Sequence, residues 1–572
     1  MDQGLISTRT TTATPGRGFL HDFVGALSRS HGLACGALVA LALVMFLPGF
    51  AGLPPMDRDE PRFAQASKQM LETGNFVSIR FQGEARNKKP VGIYWLQSAS
   101  VAVAEAFGFN SARVTIWLYR LPSLAGAIAA VLLTYWAGLV WLERRYAFMA
   151  AALMSACILL GVEARLAKTD AVLTATIVAA MGALARIYAM RIRRSEGSAA
   201  SSFALWLAIA ASVLVKGPIV VMVAGLAAVA LSVKERSWRW LKPAADWRAI
   251  ALGALIIAPW FIAIALDTHG AFFSEAVGGD MLGKVAGGRE AHGAPPGTYL
   301  LATILTLWPI APLALIAVPA IWRVRREDAP AFLMAWLIPS WLAFEAVPTK
   351  LPHYVLPLYP AVALLVAWVA QRQAFPAEGR WRRLGLILLA LPTATIALAI
   401  PYVTLLYGDR ADIMGALIAA AATLCAVFAG LTFTRGRIER ACAAILLAAM
   451  LLFIGVYEFA VPRLQALVLS PRLVASLSRS PCVPQAIATA GFNEPSLVFL
   501  TRTDLLQTSG ADAARFLALP GCRAAFVDIR QEGEFTRALT AGGRTPQLLG
   551  RVLGVNLNGG RHIDIGVYAN GG

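Results

Sequence analysis

Long apolar stretches recur between residues 33 and 459, and they restrict the fold of this chain more than any other feature. A helix needs about 20 consecutive apolar residues to cross the hydrocarbon core of a bilayer. About thirteen stretches of this kind are present, which predicts a polytopic α-helical membrane protein. They lie near residues 33–53, 114–141, 147–163, 170–190, 203–215, 218–233, 249–266, 299–321, 330–347, 354–371, 384–405, 412–433 and 441–459.

The composition agrees with this class, since 58% of the 572 residues are hydrophobic and only 15% are charged. A net charge of +18 could indicate a nucleic-acid partner, but the basic residues are concentrated in alternate loops. These basic groups lie at 144–145, 186–194, 234–242, 323–326, 372–383 and 435–440. Because cytoplasmic loops carry the excess of Lys and Arg, this distribution predicts membrane topology and no nucleic-acid partner. It places the N terminus in the cytoplasm and the segment from residue 461 outside.

Three regions are expected along the chain. Residues 1–32 are polar and predict a disordered cytoplasmic arm. Residues 33–460 form the transmembrane domain, and its first apolar stretch is a signal-anchor because it is too long for a cleaved signal peptide. Short helices within 59–107 are expected in the outer membrane interface, the first starting at Asp59 as N-cap and the second near Tyr94. Residues 461–572 form a small exported domain.

The exported segment predicts an α/β or α+β domain. Strands are expected at 495–500, 523–529, 551–555 and 563–568, and a helix is expected at 503–517. Cys482 and Cys522 lie in this segment, where oxidising conditions permit a disulfide, although their spacing leaves its formation open. The other cysteines lie within or at the ends of apolar stretches and are expected to be buried apolar residues; they are Cys35, Cys157, Cys425 and Cys442.

Charged residues are crowded into the first outer loop, where Asp57-Arg-Asp-Glu-Pro-Arg-Phe-Ala is followed by Asn87-Lys-Lys-Pro-Val-Gly-Ile-Tyr-Trp. This mixture predicts a site where a carboxylate acts on a substrate while cations hold an anionic lipid head. The alternative for Asp59 is a helix N-cap in an ion pair. Two further outer segments carry related groups, Ala164-Arg-Leu-Ala-Lys-Thr-Asp170 and Lys350-Leu-Pro-His-Tyr354.

Together these motifs resemble those of the lipid-carrier-dependent glycosyltransferases of the GT-C superfamily. The aminoarabinose transferases of lipid A are the nearest branch, and the protein O-mannosyltransferases are more distant. The resemblance implies that Asp59 is the catalytic carboxylate and that Asp170 is a second catalytic aspartate beside it. A charge at the boundary of a span is costly unless it is paired, so we expect Asp170 to have a partner such as Arg165 or Lys168. It also implies that Arg62, Lys89, Lys350 and Tyr354 contact the carrier phosphate, whereas Asp57 and Arg58 match no required position.

One position departs from the aminoarabinose branch. Lys88 stands where that branch has a carboxylate able to hold a divalent ion, and a protonated lysine cannot be a metal ligand. We therefore expect no metal site at this position and interpret Lys88 as a substrate contact or as a lysine extending to the membrane surface. His292 matches a family histidine near the metal or acceptor, and Lys284 lies where the family has an arginine. Lys216 either touches substrate or shapes its turn.

The resemblance implies transfer of a sugar from a polyprenyl-phosphate carrier to lipid A or lipopolysaccharide, on the outer face of the bacterial inner membrane. It implies no cofactor other than a divalent metal, which Lys88 argues against. Within enzymes, the alternative is a protein O-glycosyltransferase. A transporter of lipid-linked sugars is the alternative from another class, but its ionisable residues should lie at the membrane midplane between two repeated halves. Here they lie at the outer edge.

Overall fold

The computed structural model describes residues 25, 29–55, 59–193, 199–282, 293–542 and 546–570. Within these residues, nine helices are long and apolar enough to cross a membrane, or eleven if each of two bent pairs is one span. Most of the chain is helical, and a small sheet lies near the C terminus. The predicted class, a polytopic helical membrane protein with a small C-terminal domain that contains a sheet, is confirmed.

The body consists of helices joined by short turns. Its helices are α1 (His31–Phe46), α2 (Asp59–Thr73), α3 (Gly92–Ala106), α4 (Ile116–Gly138), α5 (Arg144–Ser155), α6 (Ile158–Ala164), α7 (Asp170–Arg193), α8 (Ala199–Lys216), α9 (Ile219–Glu235), α10 (Trp247–Asp267), α11 (Thr298–Thr306), α12 (Ile310–Arg323), α13 (Asp328–Ala346), α14 (Tyr359–Gln371), α15 (Arg380–Tyr407), α16 (Ile413–Thr434) and α17 (Ile438–Ile454). A two-stranded hairpin of β1 (Arg80–Phe81) and β2 (Glu84–Ala85) separates α2 from α3. The segment Pro352–Leu358 is a 3₁₀-helix that leads into α14.

Each predicted apolar stretch is helical, but not every stretch is one long helix. The stretches at 33–53 and 218–233 form α1 and α9, which have only 16 and 17 residues. The stretches at 147–163 and 299–321 are pairs bent by 62° and 119°. The two bends meet, because the Ile158 amide donates to the Trp308 carbonyl at 3.1 Å. Inside a membrane, a broken helix is tolerated where a neighbouring segment satisfies its freed backbone groups.

The C-terminal domain is built on a mixed five-stranded sheet in the order β4-β3-β5-β7-β6. Its elements are α18 (Leu469–Ser476), β3 (Ala486–Ala490), α19 (Pro495–Leu500), β4 (Leu506–Thr508), α20 (Gly510–Ala518), β5 (Arg523–Asp528), α21 (Ile529–Ala541), β6 (Gln547–Asn556) and β7 (Arg561–Ala569). β3 pairs in parallel with both β4 and β5, whereas β7 is antiparallel to β5 and β6. Cys482 and Cys522 form a disulfide in this domain.

Several local predictions for this domain were wrong. Residues 495–500 form helix α19 instead of a strand, because Pro495 occupies the first turn of a helix after an extended Glu494. The expected helix at 503–517 begins only at Gly510, and β4 precedes it. β3 and α21 were not predicted. Strand β5 and the hairpin of β6 and β7 lie where they were expected.

The four remaining cysteines differ in burial. Cys157 and Cys442 are buried, as expected, whereas Cys35 and Cys425 are only partly buried. The last two therefore match the prediction only in part, since they pack against the edge of the main core.

The C-terminal domain contacts the body mainly through α2. The Lys68 ammonium donates to the Phe499 carbonyl at 3.1 Å, and the Gln65 amide donates to the Thr503 hydroxyl at 2.7 Å. Phe499 is buried and packs edge-on against Tyr119 of α4, with ring centroids 5.2 Å apart. The polar side of α2 is therefore covered by the domain, and the N-terminal end of this helix lies at the junction between domain and body.

Candidate active site

A buried ion pair fixes the first turn of α2. Glu60 and Arg120 are 0% and 1% exposed, and they form two hydrogen bonds, of 2.7 and 3.0 Å. Arg120 also donates to the carbonyls of Phe50, Leu53 and Pro54. Glu60 also accepts from the Ala167 amide at 2.9 Å, which joins α2 to the turn before α7. A charge buried in a low dielectric must be paired, and these contacts complete the pairing.

Asp59 immediately precedes this anchored residue and is half-buried. Its charge acts on Tyr94, whose hydroxyl accepts from Arg86 Nε at 3.3 Å. Burial raises the pKa of the Tyr94 hydroxyl; Arg86 opposes that shift and Asp59 adds to it. Arg86 also lies 5.0 Å above the Phe63 ring. The sequence had not identified Arg86 as a site residue, although it lies in the same charged loop as Lys88 and Lys89.

The loop that carries Lys88 and Lys89 is pressed against the end of α8. A side chain at Gly92 would place its Cβ 2.8 Å from the Leu214 carbonyl oxygen, so this approach needs glycine. Lys88 is exposed, and Lys89 is half-buried. The contact brings this loop to the C-terminal end of α8, whose last residue is Lys216.

Asp170 and Lys216 form a buried ion pair at the N-terminal end of α7. The sequence had predicted Arg165 or Lys168 as the partner. Arg165 was wrong, because its guanidinium donates to the carbonyls of Met45 and Pro48 at 2.6 and 2.7 Å, away from Asp170. The charge of Lys168 does act on Asp170. Sequence neighbours in a tight turn project in different directions, so the direct partner comes from another helix.

His353 lies between two acidic residues. Its Nε2 is 3.9 Å from Asp170 Oδ1, and its Nδ1 is 3.8 Å from Glu163 Oε1. Its ring is 5.1 Å from that of Tyr354, which lies 5.6 Å from the Lys216 ammonium. The charge of Lys89 also acts on His353. Two residues predicted from separate motifs, Asp170 and Tyr354, are thus neighbours of His353, and the charge of a third, Lys89, acts on it.

Glu163 and His353 had not been singled out as site residues. Both were available in the sequence, because Glu163 directly precedes the Ala164 to Asp170 motif and His353 directly precedes Tyr354. For Lys216 the sequence indicates a substrate contact or a turn residue, but not an ion pair with Asp170. The sequence could not show that the segments containing Glu163, Lys216 and His353 contact one another.

Lys350 is occupied within its own loop. Its ammonium donates to the carbonyls of Glu345 and Val347 at 2.7 and 2.8 Å, and it is 3.5 Å from the Glu345 carboxylate. Glu345 in turn accepts from the amides of Gly297 and Tyr299. These bonds join the end of α13 to the start of α11, so a contact between Lys350 and a phosphate stays a prediction.

Other predicted positions have different outcomes. Arg62 is half-buried and lines a cavity at the C-terminal domain. Lys284 and His292, together with Asp57 and Arg58, lie outside the described residues.

Among the described residues, one group of side chains has the spacing to hold a divalent ion. Glu163, Asp170 and His353 each offer a ligand atom, and these atoms lie within 4.8 Å of one another. Asp170 is already paired with Lys216, however, and Glu163 is 3.8 Å from the Lys168 ammonium. Two ammonium groups beside the ligands would repel a cation, so this group fits ion pairing better than a metal. No catalytic step is assigned to a metal.

Sequence comparisons identify relatives with a shared name. Residues 56–271 match the family Dolichyl-phosphate-mannose-protein mannosyltransferase. The undecaprenyl phosphate-alpha-4-amino-4-deoxy-L-arabinose arabinosyl transferase of Erwinia tasmaniensis is 29% identical over 317 residues, 54% of each chain. The protein of the same name from Aeromonas hydrophila is 30% identical over 343 residues, 58% of this chain and 59% of the relative. The chain therefore matches a little over half the length of these curated relatives.

Two solved structures share the fold over nearly the whole chain. ArnT from Cupriavidus metallidurans in the apo state has a TM-score of 0.70 at 18% identity, covering 94% of this chain and 97% of that chain. The same protein bound to undecaprenyl phosphate also has a TM-score of 0.70, at 19% identity, covering 95% and 98%. The predicted resemblance to GT-C glycosyltransferases is confirmed. With the apolar helices, these bacterial relatives indicate a multi-pass inner-membrane protein.

Proposed function

We propose that this protein is a glycosyltransferase that moves a sugar from a polyprenyl-phosphate carrier to a lipid A or lipopolysaccharide acceptor. The observation that carries the proposal is the junction of separate motifs at the start of α7. Asp170 lies beside His353, which contacts Tyr354, and Glu60, the neighbour of Asp59, accepts from the Ala167 amide in the turn before α7. The relatives named above are arabinosyl transferases that use undecaprenyl phosphate, which supports a polyprenyl-phosphate pentose or hexose as the donor.

The proposed reaction inverts the anomeric carbon. An acceptor hydroxyl or phosphate oxygen attacks that carbon, and the bond from the carbon to the carrier phosphate oxygen breaks. Where the acceptor is a hydroxyl, Asp59 takes its proton. The polyprenyl phosphate leaves with the electron pair, and Lys89 with Arg62 stabilises its charge. Lys88, Lys284, His292, Lys350 and Tyr354 are proposed as further substrate contacts.

Asp170 is proposed as a positioning residue. Its charge is neutralised by Lys216 in a buried pair, whereas Asp59 is half-buried and can be reached by an acceptor. Through Lys216 and His353 it would hold Tyr354 and Lys89 in place around the donor phosphate. This assignment refines the expectation that both aspartates are catalytic.

The test is transfer from defined polyprenyl-phosphate sugars to lipid A in proteoliposomes that contain the purified full chain. Asp59→Asn should lower the transfer rate by at least about 100-fold, the usual contribution of a positioned general base. The matched control is Asp504→Asn, an exposed carboxylate of the C-terminal domain, which should transfer at the wild-type rate. Wild-type transfer by Asp59→Asn would overturn the catalytic assignment.

A protein O-glycosyltransferase is the second candidate, favoured by the match of residues 56–271 to the mannosyltransferase family. The same assay can include a second acceptor, a serine- and threonine-rich peptide. Transfer to lipid A without transfer to the peptide supports the first candidate. The opposite result supports the second, and it leaves the proposed role of Asp59 unchanged.

We also propose that the N terminus is cytoplasmic and that the C-terminal domain is periplasmic. The concentration of basic residues in alternate loops supports this orientation. A disulfide between Cys482 and Cys522 is compatible with an oxidising compartment. Alkaline phosphatase fused after residue 572 should be active. Alkaline phosphatase fused after Glu143, in the loop that precedes α5, should be inactive.

A further inference from the structure

A cavity of about 590 Å³ separates the first turns of α2 from the C-terminal domain. One wall is Arg62, which is three residues after Asp59 on the same helix. The opposite wall comes from three loops of the domain. Its polar lining includes Glu494, Arg530, Asn556 and Arg561. A cavity of this size is within the range of small-ligand sites, which is roughly 300–1,000 Å³.

The position of the cavity within the sheet is typical of a binding site. β3 and β5 are adjacent and parallel, and the segments that follow their carboxyl ends, 491–495 and 530–531, line the cavity. In open α/β sheets, ligands bind in the crevice outside the carboxyl ends of the strands. The third loop is the hairpin that joins β6 to β7, and it contributes Asn556 and Arg561.

The cavity is lined by arginine side chains, a carboxylate and side-chain amides. Arg530 binds the buried Asp528 through bonds of 2.7 and 2.9 Å, which fixes its guanidinium at the wall. Glu494 accepts from the side-chain amides of Asn556 and Asn558 at 2.8 and 2.7 Å. Arg561 is exposed at the rim, and Arg62 faces it from α2. Because Asp528 already neutralises Arg530, the exposed Arg561 guanidinium is the cation that the domain wall offers to an anion.

We infer that this cavity binds the phosphorylated saccharide head of the acceptor. Arginine is suited to phosphate because its guanidinium presents paired donors. Glu494 and the asparagine amides provide acceptors and donors for sugar hydroxyls. Calling this ligand the acceptor rests on the proposed function. Arg62, proposed above as a contact of the carrier phosphate, stands between the cavity and Asp59, so a head group held in the cavity would lie next to the donor phosphate. The role of the C-terminal domain would then be to present the acceptor.

The test measures binding without transfer. Equilibrium dialysis of the full chain in nanodiscs uses labelled glucosamine 1-phosphate as the probe, and no donor is present. Arg561→Gln should weaken binding about tenfold, which corresponds to ~1.4 kcal/mol. Arg561→Lys should recover part of the loss because it keeps the charge. The matched control is Arg515→Gln, since Arg515 is an exposed arginine of the same domain outside the lining.

Competition and variant experiments identify the ligand and its binding site. Vesicles containing lipid A should compete with the probe, whereas inorganic phosphate and glucosamine should each compete at least about tenfold less well, because each satisfies only part of the cavity. Failure of lipid A to compete would overturn the acceptor assignment, and equal competition by phosphate alone would overturn the saccharide assignment. A loss of binding in Lys89→Gln but not in Arg561→Gln would place the phosphate at the donor side and reject the cavity. Because no transfer is measured, wild-type activity of Asp59→Asn would leave these binding results intact.

Discussion

The body and the C-terminal domain differ in how far their charged side chains are buried and paired. In the body, Glu60 with Arg120 and Asp170 with Lys216 are buried pairs whose members satisfy one another. In the domain, Arg561 is exposed at the rim of a cavity, opposite Arg62. The body pairs shape the protein, whereas the cavity cations are placed where a ligand can reach them.

Physical chemistry explains this difference. Desolvating a charge costs several kcal/mol per ion, so charges inside the body are stable only in pairs with good geometry. A binding site for an anion has the opposite requirement, since a cation that a protein carboxylate already neutralises attracts a phosphate weakly. Arg530 is paired with Asp528, so in the cavity this requirement falls on the exposed Arg561. Asp59 lies at the boundary of the two regions and is half-buried, which suits a carboxylate that must meet substrate. The predictions below test this division, beginning with the largest expected effect.

Removing one member of the Glu60–Arg120 pair should have the largest effect on stability. Glu60→Gln leaves the Arg120 guanidinium buried without a compensating charge, and we expect a loss of about 3–5 kcal/mol in the free energy of unfolding. Denaturant unfolding of the purified protein in detergent measures it. Glu84→Gln, an exposed glutamate of β2, is the matched control and should change stability by less than about 0.5 kcal/mol. Equal stability of the two variants would show that the pair is not a structural anchor.

The Asp170–Lys216 pair should show strong coupling. Lys216→Met leaves a buried carboxylate and should cost about 3 kcal/mol, a value typical of a broken buried pair. In the double variant with Asp170→Asn, part of this cost should be recovered, giving a coupling free energy of about 1–3 kcal/mol.

The exposed pair of Lys234 with Asp328 provides the comparison, because its atoms are 3.4 Å apart but both side chains are about one-third exposed. The same cycle there should give less than about 1 kcal/mol. Additive effects at Asp170 and Lys216 would contradict the view that the two charges depend on each other.

The sequence predicted the helical body well, because apolar length is a local property that each stretch carries by itself. It could not predict that 147–163 and 299–321 are bent, since the bond from Ile158 to Trp308 joins two distant stretches. In the C-terminal domain, the short run at 495–500 was assigned to a strand because periodicity alone does not separate a short buried helix from a strand.

The candidate site shows the same limit. Asp59, Lys89, Asp170 and Tyr354 are predicted as site residues because each lies in a recognisable motif. The partner of Asp170 was missed because Lys216 is 46 residues away along the chain, at the end of another helix. The cavity arginines 530 and 561 were missed because their role depends on the order of strands in the sheet. Motifs therefore identify candidate residues, but they do not show which distant residues meet them in the folded protein.

In contrast to Glu60, Arg561 should contribute almost nothing to stability. Arg561→Gln should change the free energy of unfolding by less than about 0.5 kcal/mol, because the side chain is exposed and surface substitutions have small effects. Denaturant unfolding of the same preparations used for probe binding measures it. A loss above about 2 kcal/mol would mean that Arg561 belongs with the structural charges of the body.

Chelation should have the smallest effect of all. Glu163 and Asp170 have ammonium groups near their carboxylates, so the group formed with His353 does not need a divalent ion to balance its charge. We expect transfer after dialysis against a chelator to stay within about twofold of the untreated rate, a change below ~0.5 kcal/mol in the barrier. Adding Zn²⁺ or Mn²⁺ should also leave the unfolding midpoint unchanged, since an ion that binds the folded state would raise it. If the ion raises the midpoint of the wild type but not of Asp170→Asn, a metal binds among the paired charges. The body would then contain a ligand-binding site of its own, in addition to the cavity proposed for the C-terminal domain.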